Sequence, residues 1–181
     1  NERTIRVMHF VSDTMPGKKS LTVLPEICNP SSSVTDSFAF VKSNAKKGHR
    51  GDRPLFGFTV EKDRIIVAAE KVHAVYNCND GTVSFMDRDN EIIMSELRRD
   101  FAPVTDSGVT GYHVEQQFLL DKEEGIYGLG QHQDGIMNYR GHSVRLVQTN
   151  LIAVNPFLIS TKKYGILWDN YSDTRVNNED D

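Results

Sequence analysis

Apolar runs in this chain are short, rich in Val, Ile, Phe and Tyr, and broken about every eight to twelve residues by turn-forming side chains, the spacing of an all-β sandwich. TIRVMHFV at Thr4 to Val11 alternates, with Ile5, Val7 and His9 on one side and Arg6, Met8 and Phe10 on the other. Phe56 to Val60, Arg64 to Ala68 and Lys71 to Tyr76 predict a meander joined by EKD and AEK. The Asp80-Gly81 pair is favoured chemistry for a tight hairpin turn, and a second turn at RDNE separates TVSFMD from IIMSEL. Later runs at Tyr112 to Leu120, Val144 to Thr149, Phe157 to Ser160 and Tyr164 to Tyr171 read as further strands. One segment reads as a helix: SELRRDFA at Ser95 to Ala102 has a Ser cap and is stopped by Pro103. The stretches Asn29 to Ser37 and Ser43 to Pro54 read as exposed loops.

With 181 residues and 38% apolar side chains, the chain is long enough for one domain with its own core, and residues 1–181 are read as that single domain. A net charge of −4 with no basic block argues against a nucleic-acid partner. The longest apolar run, IIVAA, is far shorter than the roughly 20 residues of a spanning helix, so no membrane span is expected. Beginning at Asn1 without Met and ending in NNEDD, the sequence reads as a processed or excised segment. Cys28 and Cys78 lack metal or redox spacing and are read as two buried thiols, with a disulfide between them as the alternative if the protein is exported.

The stretch IYGLGQHQDG at Ile126 to Gly135 raises the possibility of a phosphate loop. A dinucleotide fingerprint needs GxGxxG opening a helix, but Gln133 holds the third position, the following turn residues deny a helix, and no Lys follows in phosphate-loop spacing. His132, Asp134 and His142 lie close together in sequence, yet a zinc site wants three or four ligands on rigid elements, and a surface loop with incidental His is the simpler reading. No metal and no cofactor are expected. The glycines are read as turn formers that let backbone approach closely where this fold meets a neighbouring domain. Tyr127 reads as a core or edge aromatic, Trp168 as a half-buried strand residue, Tyr139 and Arg140 as loop residues, and Glu123 with Glu124 as a solvated turn.

In order along the chain, EEGIYGLGQHQDGIMNYRG, VRLVQTN and PFLISTKKYGILWDNYSDTR resemble the N-terminal domain of glycoside hydrolase family 31, the family of α-glucosidases and α-xylosidases. IRVMHFV and IIVAAEKVHAVYNCNDGTVSFMDRDNEIIMSE resemble its preceding strands, so the similarity runs from Thr4 to Val176. QHQDG and WDNYSDTR are most similar to the bacterial α-xylosidase-like branch. The resemblance implies a galactose-mutarotase-like β-sandwich preceding a catalytic (β/α)8 barrel that is not included here. Family members retain configuration with two Asp residues about 5–5.5 Å apart. Both are expected outside this sequence, so none of its carboxylates is catalytic and the fragment alone is expected to be inactive.

One loop carries over. In many family members an Asn-Thr-Asp segment after YGLG approaches the sugar, and the matching substrate-binding positions here are Gln148, Thr149 and Asn150. Asn150 stands where Asp is common: an amide can donate to a sugar hydroxyl as well as accept, but it brings no charge. The bland reading of Thr149 and Asn150 is a strand end satisfying its own backbone. The implied partners are an oligosaccharide substrate in the full-length enzyme and the chain's own barrel, in a periplasmic or secreted bacterial setting. A freestanding carbohydrate-binding β-sandwich is the alternative. A sugar epimerase would need a His and a carboxylate poised on an open sheet face, and the six scattered His offer no such pairing.

Overall fold

The computed structural model describes Arg3, residues 5–9 and residues 56–177. Eleven strands occupy these residues, and none of them is helical. Of the expected first strand, Ile5 to His9 is described and is irregular; the loops foreseen at Asn29 to Ser37 and Ser43 to Pro54, like Cys28, lie outside the described residues. The chain divides into two compact units, Asn1–Leu119 and Leu120–Asp181.

The first unit is an antiparallel meander in which each strand pairs with the next: β1 (Phe56–Val60), β2 (Arg64–Ala69), β3 (Val72–Asn77), β4 (Val83–Asp87), β5 (Ile92–Asp106) and β6 (Val109–Leu119). Its turns are built by short polar side chains. Between β3 and β4 the loop is longer than a two-residue hairpin: Asn77 N donates to Thr82 O at 2.9 Å, Gly81 adopts φ +75°, and Asp80 Oδ1 accepts from Thr82 N and Oγ1 at 2.9 and 2.7 Å. Cys78, expected to be buried, is exposed in this loop. At RDNE, Asp87 Oδ1 accepts from Asp89 N and Glu91 N, which closes the turn as expected.

The expected helix at Ser95 to Ala102 is instead part of β5. Glu96 pairs with Phe118 and Arg98 with Gln117, so Leu97 is an extra, bulged residue. In a regular strand, residues three apart face opposite ways. The bulge reverses that parity and puts Glu96, Arg99 and Gln116 on one face. There Arg99 Nη1 donates to Glu96 Oε1 at 2.7 Å, Gln116 Nε2 donates to the same oxygen at 2.8 Å, and Val83 N donates to Glu96 Oε2 at 3.0 Å. The spacing that imitates a helical ion pair is thus a bulge signature. Pro103 does not stop the element, because beyond Ser95 β5 has only β6 beside it among the described residues and needs no ladder donor on its other edge. Ser107 and Gly108, at φ +49° and +80°, close a two-residue β5–β6 hairpin of primed type.

The second unit holds two small antiparallel sheets, ordered β10-β9-β7 and β11-β8, from β7 (Ile126–Gln131), β8 (Ser143–Leu146), β9 (Ala153–Ser160), β10 (Gly165–Leu167) and β11 (Thr174–Asn177). Leu129, Tyr139, Val144 and Leu146 form its buried cluster, with Ile136, Val154, Leu158 and Val176 packed around them.

Candidate functional site

The YGLG glycines lie in a strand, not a turn. Gly128, Leu129 and Gly130 adopt φ +100°, +64° and +105° in succession. Opposite them β9 is irregular: Gly128 pairs with Leu158 and Gly130 with Val154, which leaves Asn155, Pro156 and Phe157 facing Leu129 alone. A Cβ at Gly130 would stand 2.1 Å from Ala153 O, and one at Gly128 2.6 Å from Phe157 O. Close backbone approach is therefore the reason for both glycines, as expected, but the neighbour is β9 of the same unit. Left-handed backbone costs Leu129 about 1–2 kcal/mol. Its side chain is 2% exposed, and full burial of a Leu contributes about 1.5–3 kcal/mol, enough to offset the torsional cost.

Beyond this bulge lies the loop that carries the sequence-derived site. Thr149 and Ile152 form an isolated antiparallel bridge around Asn150 and Leu151. Gln148 Nε2 donates to Thr149 O at 3.0 Å and to Ile152 O, and Gln148 Oε1 accepts from Val154 N at 3.0 Å. Thr149 Oγ1 accepts from Leu151 N at 3.4 Å. The structure thus brings Gln148, Thr149 and Asn150 together in one exposed loop, where Gln148 and Thr149 bond to loop backbone and Asn150 is at the tip.

The other candidates separate. Nε2–H of His132 donates to Leu129 O at 3.0 Å and its ring meets Tyr139 edge-on, while Asp134 Oδ1 accepts from Ile136 N. No group of three or more His, Cys, Asp or Glu converges on a metal-sized site among the described residues. Tyr139 lies in the loop between β7 and β8, as expected, but turns into the core, 3% exposed, and burial, reinforced by the Asp134 charge, raises its phenol above the usual range. Tyr127, on β7, and Trp168 are half-buried, but Trp168 stands just past the end of β10 rather than within a strand, its N donating to Pro156 O.

Glu124 corrects the expected solvated turn. Glu123 is exposed, but Glu124 is 2% exposed. Its Oε1 accepts from Ser160 Oγ and from Tyr164 Oη, the latter at 2.5 Å, and its Oε2 accepts from Asp121 N at 3.1 Å. Arg140 Nη1 donates to the carbonyls of Asp121 and Glu124 at 2.6 and 3.1 Å. Lys162 bonds Asp121, first by hydrogen bond and then by charge, and holds that carboxyl below its ordinary range.

These features fall within a known family. The chain belongs to the glycosyl hydrolase 31 N-terminal galactose mutarotase-like domain family, which it matches over residues 2–177. The all-β, galactose-mutarotase-like fold expected from the sequence accordingly holds. An α-xylosidase of Saccharolobus solfataricus is 37% identical over 117 residues, covering 60% of this chain and 16% of that protein. A crystal structure of a family 31 α-xylosidase from Xanthomonas citri superposes with a TM-score of 0.64 at 38% identity, over 68% of this chain and 14% of that one. A family 31 α-xylosidase from a soil metagenome, complexed with xylose, shares the fold with a TM-score of 0.63 at 24% identity, over 68% of this chain and 21% of its own. The chain therefore spans a small part of the length of each. No helix among the described residues is long and apolar enough to cross a membrane.

Proposed function

We propose that this chain is the non-catalytic N-terminal domain of a retaining α-glycosidase acting on terminal α-linked xylose or glucose, with α-xylose favoured. In this reading residues 1–181 precede a catalytic barrel, pack on it, and lend the loop Gln148, Thr149 and Asn150 to the substrate entrance. The observation that carries it is the pairing of a family match over nearly the whole chain with α-xylosidases that extend far beyond the matched part. The carboxylates support it: the two buried acids among the described residues, Glu96 and Glu124, are engaged by internal donors, which leaves neither available as nucleophile or proton donor.

Assay of the isolated chain and of the full-length enzyme with nitrophenyl α-xyloside and α-glucoside tests the reading. Only the full-length enzyme is expected to turn over, with the xyloside preferred. Turnover proportional to the isolated chain, in a preparation free of host glycosidases, defeats it. Calorimetric titration of the isolated chain with xylose and xyloglucan oligosaccharides is expected to show no binding; saturable binding would mark a freestanding carbohydrate module.

A further inference from the structure

The side chain of Gln148 is turned onto the loop it precedes. Its two amide hydrogens go to the carbonyls of Thr149 and Ile152, and its oxygen accepts from Val154 N. Two carbonyls require the NH2 end and one N–H requires the oxygen, so the partners themselves set the orientation of the amide. Both donors are committed, and only one acceptor lone pair is left. Val154 is also the residue paired with Gly130, at the point where β9 resumes its ladder with β7 after the irregular stretch. One side chain therefore ties both ends of the 149–152 loop to the bulged β7–β9 edge. What the loop turns outward is its tip, the Asn150 amide beside a Leu151 side chain that is 68% exposed.

We propose that Gln148 is a positioning residue for the substrate loop and not itself a sugar ligand. It rests on the placement of this loop at the substrate entrance. By holding the carbonyls of Thr149 and Ile152 inward, Gln148 presents Asn150 to a sugar hydroxyl and Leu151 to the C–H face of the same ring. A sugar ligand at this position would have to give up the bonds to Thr149 and Ile152 in order to donate.

The decisive variant is Gln148→Glu. A carboxylate still accepts from Val154 N but has no hydrogen for the two carbonyls, and its charge opposes them. As a sugar ligand, a carboxylate would accept hydroxyl hydrogen bonds at least as well as an amide. In the full-length enzyme with nitrophenyl α-xyloside, Asn150→Ala is expected to lower kcat/KM about two- to twelve-fold, the effect of one neutral hydrogen bond. Gln148→Ala is expected to lower it by at least as much, and Gln148→Glu to do no better than Gln148→Ala. In the Gln148→Ala background, Asn150→Ala should cost less than about two-fold more, because a tip that is no longer held gives little to lose. Amide exchange over residues 149–154 is expected to accelerate about five-fold or more in Gln148→Ala.

Retained activity in Gln148→Glu, or losses that multiply fully in the double variant, overturns the positioning role. So does unchanged amide exchange in Gln148→Ala. If exchange accelerates while Asn150→Ala and Gln148→Ala both keep wild-type kinetics, the clamp exists but the loop does not serve the substrate, and the proposed function of the loop falls with this inference.

Discussion

The Glu124 carboxylate and the Tyr164 hydroxyl meet at 2.5 Å, joining the acidic turn before β7 to the turn before β10. With Ser160 on the same oxygen and Asp121 N on the other, one buried carboxylate gathers three donors. Glu124→Ala leaves these groups without their acceptor. Since hydrogen bonds to charged groups contribute about 1.5–3 kcal/mol each, the loss should reach about 3 kcal/mol or more by denaturant unfolding. Glu123→Ala, one residue earlier and exposed, should stay within about 0.5 kcal/mol of the parent. Equal effects would return both acids to a solvated turn.

Tyr164 gives this link a pH dependence. Burial, and then the contact with Glu124, raises its phenol well above the ordinary value of 10.0. The folded chain keeps a proton that the unfolded chain releases, so the contribution is complete below pH 10 and declines as pH rises above it. Tyr164→Phe should cost about 1.5–3 kcal/mol near pH 8, and the gap between it and the parent should narrow near pH 11. Urea unfolding of both at the two pH values measures it. A gap constant across them would mean that Tyr164 titrates alike in both states.

Two glycines separate close approach from torsion. Gly130 and Gly135 both have positive φ, +105° and +72°, but a Cβ at Gly130 would strike Ala153 O whereas one at Gly135 meets nothing within 4 Å. Gly135→Ala should therefore cost about 1–2 kcal/mol, the torsional penalty alone. Gly130→Ala should cost well over that, because backbone must move. Similar losses in thermal unfolding would make torsion the whole explanation.

Leu97 is more than half exposed, so Leu97→Ala should change stability by no more than about 0.5 kcal/mol. Deleting Leu97 leaves Glu96 and Arg99 two residues apart, and in a regular strand such residues share a face, so the pair keeps Gln116 beside it without the bulge. Circular dichroism of the deletion variant should therefore show the strand signal of the parent, and unfolding should show a cooperatively folded chain. A variant that is largely unfolded would mean that the bend of the bulge itself, and not only the shared face, is required.

Alternation and turn chemistry are local, and where structure is local the sequence could be read: β1 to β4 and their turns fall where Ile65, Val67, Asp80-Gly81 and Asp87 announce them. The failures are long-range. Glu96 and Arg99 look like neighbours on a helix because nothing local reveals the partner strand that makes Leu97 a bulge. Glu124 looks solvated because Ser160 and Tyr164 reach it from far along the chain. The strand β7 was hidden by its own glycines, whose conformation answers to Ala153 and Phe157 on β9. Gln148, Thr149 and Asn150 are candidates through resemblance alone; the direction of the Gln148 amide could only come from the folded loop.

The unequal count of residues between Gly128–Gly130 and Leu158–Val154 has a consequence for assembly of the fold. Evenly matched strands can slide past each other by two residues and still satisfy every ladder bond. Here a slide by two would put one glycine in the other's place, bring the side chain of Ile126 or His132 against the remaining carbonyl of Phe157 or Ala153, and lift Leu129 out of its cluster. Three residues of β9 set against one of β7 thus act as a key cut for a single lock, so a nascent chain can recognise its own correct pairing.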